Sequence, residues 1–181
     1  MSAASSHAGP RAWSLLRTLS CGLLLAKLAL PAAAQSYSAK SLLNRMAPEF
    51  TRKDLSGRRL DLASFRGKVV LLNFWATWCA PCLVEMPEFA AWQREYGPRG
   101  FQVAGISMDD TTAPVLKLVE RLKLDYPVAM GDAPLGELYG GVLGLPVTYL
   151  IDRRGVVRAR FDGETNLEVI AKQVGLLLNH R

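Results

Sequence analysis

Cys79 and Cys82 stand with two residues between them in the run Asn73-Phe74-Trp75-Ala76-Thr77-Trp78-Cys79-Ala80-Pro81-Cys82, where an apolar strand gives way to a helix. That spacing lets two sulfurs meet across one helical turn and close a small disulfide ring. A cysteine at a helix N-terminus faces orphan backbone N–H groups and the positive end of the dipole. Both stabilise the thiolate, the form that attacks disulfides, and Cys-X-X-Cys sites lower the thiol pKa from about 8.5 to roughly 3.5–7.5. The pair is expected to carry redox chemistry. Cys79, at the strand-to-helix junction, is the candidate nucleophile; Cys82, one turn deeper, is the resolving thiol that attacks the mixed disulfide.

A bound metal is the other reading of paired cysteines. Zinc asks for four ligands, commonly a second cysteine pair or histidines. The two histidines are His7, near the start of the chain, and His180, beside its end. The reading therefore calls for no metal and no cofactor.

The elements that must hold the pair follow from hydrophobic patterning. Lys68 to Trp75 is nearly continuously apolar, as expected of a strand covered on both faces. The helix after it runs from about Ala80 to Tyr96, with a kink expected at Pro87. Upstream, Phe50-Thr51-Arg52-Lys53 and Arg58 to Leu62 flank the turn Asp54-Leu55-Ser56-Gly57 and read as a hairpin. Phe101 to Ser107 is a second central strand. Pro114 to Leu124 carries Val115, Leu118, Val119 and Leu122 on one helical stripe. Val128-Ala129-Met130 reads as a minor strand and Leu135 to Tyr139 as a short helix. Val147–Ile151 and Val156–Phe161 form a hairpin across Asp152-Arg153-Arg154-Gly155. A last helix starts at a capping box, Thr165-Asn166-Leu167-Glu168, and buries Leu167, Ile170, Val174, Leu177 and Leu178. Strands and helices alternate early and a hairpin closes the chain. The expected class is α/β, with a mixed central sheet, helices on both faces and an N-terminal β-hairpin extension.

Composition sets the outer bounds. The chain has 181 residues, 50% hydrophobic and 21% charged, which suits one domain plus a leader. The formal charge is +6, but Arg11, Arg17 and Lys27 fall in the first 34 residues with no acid, leaving 19 basic against 16 acidic side chains, or +3. Nucleic-acid binding asks for a concentrated basic stripe. Arg58-Arg59 and Arg153-Arg154 instead fall at hairpin turns, where solvated faces are expected, so no nucleic-acid partner is assigned.

Residues 1–34 read as a signal peptide or an N-terminal membrane anchor. Two arginines precede the apolar stretch Cys21–Leu30, and Ala32-Ala33-Ala34 before Gln35 fits an A-x-A cleavage site. Lys27 interrupts the apolar stretch, which falls short of the roughly 20 residues a spanning helix needs. In either case the remainder is expected outside the cytoplasm, touching the membrane through the leader alone if that is uncleaved. Cys21 lies in the leader; the domain then holds only Cys79 and Cys82. One close pair restricts the unfolded chain little, so chemistry explains it better than stability. Residues 35–47 are read as a polar tether and 48–181 as the domain.

The chain resembles the thioredoxin superfamily and, within it, the TlpA/ResA-like exported thiol–disulfide oxidoreductases. The matching residues are Phe74 to Cys82, then Glu85-Met86-Pro87, then Gly144-Leu145-Pro146-Val147-Thr148-Tyr149-Leu150-Ile151-Asp152, with Ala47-Pro48-Glu49-Phe50 and Gly67-Lys68-Val69-Val70 upstream. The resemblance implies a thioredoxin fold and a cis peptide bond before Pro146. The bend there would bring the Leu145 backbone beside Cys79, to pair with an extended substrate peptide. Thioredoxins proper carry a buried Asp where this chain has Asn73, which cannot titrate. By resemblance, Glu85 takes over as a partly buried carboxyl of raised pKa that exchanges protons with the dithiol. Trp78 would shield the disulfide and shape the contact surface, and Pro81 favours a reducing pair. Asp109 and Asp110 resemble a carboxylate pair, but a turn with helix N-cap chemistry explains them better.

The function implied is a periplasmic reductase of protein disulfides, by family analogy in cytochrome c or oxidase copper-site biogenesis. A membrane protein of the thiol-transporting kind would return electrons, and a monomer is expected. Two alternatives stand beside it. A thiol peroxidase of the peroxiredoxin kind would want proline where Leu72 stands. A non-enzymatic copper chaperone would retain metal or survive Cys79→Ser.

Overall fold

The computed structural model describes residues 42–179. The leader, the first part of the tether and His180 lie outside the described residues. In chain order come β1 (Thr51–Lys53), β2 (Arg59–Asp61), β3 (Val69–Trp75), α1 (Ala80–Tyr96), β4 (Phe101–Ser107), α2 (Thr112–Arg121), β5 (Val128–Met130), α3 (Ala133–Leu138), β6 (Val147–Ile151), β7 (Val157–Asp162) and α4 (Leu167–Asn179). The expected elements are all present, and α1 continues through Pro87.

Five strands form one sheet in the order β5-β4-β3-β6-β7. β3 pairs in parallel with β4, and β4 with β5, whereas β6 runs antiparallel to both β3 and β7. Because β3 is central and buried at all seven positions, its apolar run serves two cores. Successive side chains point to opposite faces. Val69, Leu71 and Trp75 join Met86 and Phe89 of α1, Val115 and Leu118 of α2, and Ile170 and Val174 of α4. Val70, Leu72 and Phe74 join Phe50, Leu60, Leu135 and Tyr139 on the other side.

The N-terminal hairpin closes an open edge. Leu55 donates its N–H to the Val128 carbonyl at 2.8 Å, and Asp54 bridges to Ala129, so the hairpin covers β5. Its turn is built by the Asp54 carboxylate, which accepts from the Ser56 and Arg58 N–H groups, both at 2.9 Å, with Gly57 at a φ of 83°.

Three expectations need correction. The tether does not extend to residue 47. Leu42 is 1% exposed, Asn44 donates to Val157, Ala47 donates to Gly155, and Met46 bridges to Val156. These residues run alongside the start of β7 and belong to the fold. The cap of α4 is Asn166 rather than Thr165: the Asn166 side chain accepts from the Glu168 N–H at 2.8 Å, while the Thr165 hydroxyl turns back to the Gly163 carbonyl. Arg153 is not merely solvated, since its guanidinium donates to the carbonyls of Gly67 and Arg99.

Candidate redox site

β3 ends at Trp75, and a turn over Ala76 to Cys79, closed by the Cys79 N–H on the Ala76 carbonyl at 3.1 Å, leads into α1. Cys79 is the N-cap of that helix, with extended backbone (φ −88°, ψ 99°), and Pro81 lies in the first turn, where its missing N–H costs nothing. Cys79 and Cys82 are joined by a 2.07 Å disulfide with Cα atoms 5.3 Å apart. The Cys79 sulfur also accepts from the Cys82 N–H at 3.4 Å, an orphan donor of the helix start. Cys79 is 5% exposed and Cys82 fully buried. Among the described residues no three His, Cys, Asp or Glu side chains converge as metal ligands.

Trp78 directly precedes the nucleophile candidate in the chain. Trp78 is 71% exposed, and Val84 on α1 and Leu143 in the loop before β6 are also exposed. The Leu145-Pro146 bond is cis, and Leu145 packs against the cluster that contains both cysteines. Beside it lies an open groove of about 340 Å³ lined by Gly141, Leu143, Leu145, Arg160 and Gly163.

Glu85, one turn beyond Cys82, sits on the buried face of α1 with Cys82, Met86 and Phe89. It is 3% exposed, and its Oε2 has no hydrogen-bond partner. Burial pushes its pKa from 4.5 up to about 7; the Thr165 backbone N–H opposes the rise and the Glu164 charge adds to it. Asn73 is also buried and donates from Nδ2 to the Thr148 hydroxyl across the β3–β6 pair, leaving its Oδ1 without a partner.

The helix N-cap role expected of Asp109 and Asp110 is not the one they take. Thr111 is the N-cap residue of α2, with no side-chain cap bond, and Asp110 is exposed. Asp109 is nine-tenths buried and bonds instead to Thr77 and Ser107. Sequence reasoning missed that contact, as it missed Thr165 beside Glu85. Both join segments distant in the chain, and no local pattern signals them.

Comparison with known proteins places these features in company. Residues 43–160 match the AhpC/TSA family. A protein of Bacillus cereus named thiol-disulfide oxidoreductase ResA is 36% identical over 135 residues, covering 74% of this chain and 77% of the relative. A ResA of Geobacillus thermodenitrificans is 33% identical over 162 residues, covering 88% and 93%. The crystal structure of a thiol:disulfide interchange protein of the thioredoxin family from Chlorobium tepidum superposes with a TM-score of 0.69 at 29% identity, covering 74% of this chain and 96% of that one. The expected thioredoxin fold is thus the observed one.

Proposed function

Since the chain belongs to the AhpC/TSA family and is a ResA-like thiol–disulfide oxidoreductase, we propose that it works as a reductase of disulfides in exported proteins. The observation that carries this reading is a bonded cysteine pair capping α1, with a buried carboxyl of pKa near 7 one turn behind it. In the dithiol form, the Cys79 thiolate attacks one sulfur of a substrate disulfide. The other substrate sulfur leaves as a thiolate and takes a proton. Cys82 then loses its proton to Glu85 and attacks the Cys79 sulfur. The substrate departs as a dithiol, two electrons richer, and the Cys79–Cys82 disulfide re-forms. Glu85 can accept and release the proton because both its forms are populated near neutral pH.

Trp78, Pro81, Leu145 and Pro146 form the contact surface in this reading. The Leu145 backbone pairs with an extended substrate segment, and the adjoining groove takes the side chains that flank its cysteine. Pro81 inside the motif supports reduction over oxidation, by analogy with reducing members of the superfamily. The leader supports export to the periplasm, with membrane contact confined to it if uncleaved. In that compartment a membrane thiol carrier must supply electrons, since no thiol buffer does so. The enzyme acts as a monomer, and family analogy places cytochrome c or oxidase copper-site assembly among its uses.

Protein lacking residues 1–34 should accelerate insulin reduction by dithiothreitol, and its dithiol should be poised near the reducing members of the superfamily. Reduction no faster than with the thiol alone would remove the enzymatic reading. A strongly oxidising potential would reverse its direction.

A further inference from the structure

We propose that Asp109 is a positioning residue for the nucleophile, clamping through Thr77 the turn that presents Cys79. The proposal rests on the dithiol reading above. Asp109 follows β4, and two elements converge on its carboxylate. One oxygen accepts from the Thr77 backbone N–H at 2.9 Å and from the Ser107 hydroxyl at 2.8 Å; the other accepts from the Thr77 hydroxyl at 2.6 Å. The Asp109 N–H returns a bond to the Ser107 oxygen at 3.2 Å. Ser107 is fully buried, and Asp109 is 9% exposed. Thr77 lies within the Ala76–Cys79 turn, and the Met108 N–H on the Trp75 carbonyl at 2.7 Å ties the preceding strand end to the same segment. The clamp therefore runs from a buried point on β4 to the residue two before the nucleophile.

Its effect belongs to the dithiol state. In the disulfide, the bond to Cys82 itself holds Cys79 at the helix N-terminus. Once that bond is broken, the thiolate keeps its place over the first N–H groups of α1 only if the turn before it is held. Losing the clamp lets Cys79 leave the N-cap, which weakens the interaction that stabilises its charge. A carboxylate that acted only as a nearby negative charge would do the opposite, raising the thiol pKa until removed. The two roles therefore move Cys79 in opposite directions.

The test measures the pH midpoint of Cys79 alkylation and the reduction potential in protein lacking residues 1–34, for Thr77→Val, Thr77→Ser and Asp109→Asn. Thr77→Val keeps size and charge but loses the hydroxyl. It should raise the midpoint by about one unit, a tenfold change in ionisation constant, and make the potential up to about 30 mV more negative. Asp109→Asn should move both in the same direction, and Thr77→Ser should restore wild-type values. An unmoved Thr77→Val, or an Asp109→Asn midpoint that falls, would overturn the clamp. A wild-type protein without an acidic thiol at Cys79 would instead remove the dithiol reading on which it rests.

Discussion

The backbone N–H of Gly163 donates to the Pro146 carbonyl at 2.8 Å, tying the loop before α4 to the cis peptide bond. In the same loop the Thr165 backbone opposes the rise of the Glu85 pKa. One short segment thus touches both the carboxyl proposed as proton carrier and the cis peptide proposed as substrate support. The loop also sets part of the electrostatics, because the Glu164 charge adds to the burial that lifts Glu85 to about 7. A substrate that displaced this loop would alter the surroundings of the carboxyl at the moment a proton must move.

Glu85→Gln removes the titrating oxygen while keeping size and hydrogen bonding. Turnover of the wild-type enzyme should rise with pH through about 7, as Glu85 ionises and can accept the Cys82 proton. The variant should lose that inflection. Its rate above pH 7 should fall by roughly a hundredfold, the lower end of what general acid–base groups contribute. Steady-state rates between pH 5 and 9 check this, and an unchanged profile would make Glu85 structural only.

The same substitution has a stability consequence of defined sign. The folded-state pKa of Glu85 lies above its ordinary value of 4.5, so the folded protein holds the proton more tightly than the unfolded chain. Stability should therefore fall as pH rises from about 4.5 to about 7 and level off above, by up to about 3 kcal/mol from this group. In Glu85→Gln that slope should vanish, so the variant gains on the wild type as pH rises. Urea unfolding of the oxidised proteins at pH 4.5, 6 and 8 reads the difference; parallel curves would contradict a buried titrating carboxyl.

Strand and turn signals carried by local patterning appear in the structure. The apolar run Val69–Trp75 could only be a strand covered on both sides, and the turn chemistry at Asp54–Gly57 and Asp152–Gly155 appears as written. The cysteine pair was legible because its spacing suits a small disulfide ring at a helix start, and the sequence offers no further cysteine pair near it to complete a zinc site. Cis-Pro146 and Glu85 were legible only through resemblance, since neither a proline before a strand nor a glutamate on a helix declares its surroundings. Residues 42–47 misled because they follow the polar run of residues 35–41 and were grouped with it, although Leu42 and Ala47 are buried and the backbone bonds to the segment before and at the start of β7. Asp109 misled for a related reason: a carboxylate before a helix suggests a cap, but the Thr77 and Ser107 donors offered it a more buried site.

Leu42 provides a measurable check on that correction. Its side chain is 1% exposed and belongs to the core cluster that also holds Phe50, Leu62, Tyr149 and Val157. Leu42→Ala should destabilise the domain by about 2–4 kcal/mol, as for other buried leucines. Leu43→Ala, at an exposed position, should change stability by less than about 0.5 kcal/mol. Chemical denaturation of the two variants separates a docked segment from a free one, and equal small effects would return residues 42–47 to the tether.

The two cysteines should differ sharply once reduced, for two separable reasons. Cys79 is the N-cap of α1, where its sulfur accepts the Cys82 N–H, whereas Cys82 is fully enclosed by the core. A thiol pKa lowered to between about 3.5 and 7.5 raises the thiolate share at pH 7 from a few per cent to a large fraction. Intrinsic nucleophilicity declines as the thiol becomes more acidic, which returns part of that gain. The charge effect alone should therefore amount to several-fold, and the enclosure of Cys82 should widen the gap beyond about tenfold. Iodoacetamide should label Cys82→Ser quickly and Cys79→Ser slowly, and mild denaturation should speed only the latter. Equal rates in the folded variants would mean that Cys79 holds no privileged position, and the assignment of nucleophile and resolving thiol would fail with it.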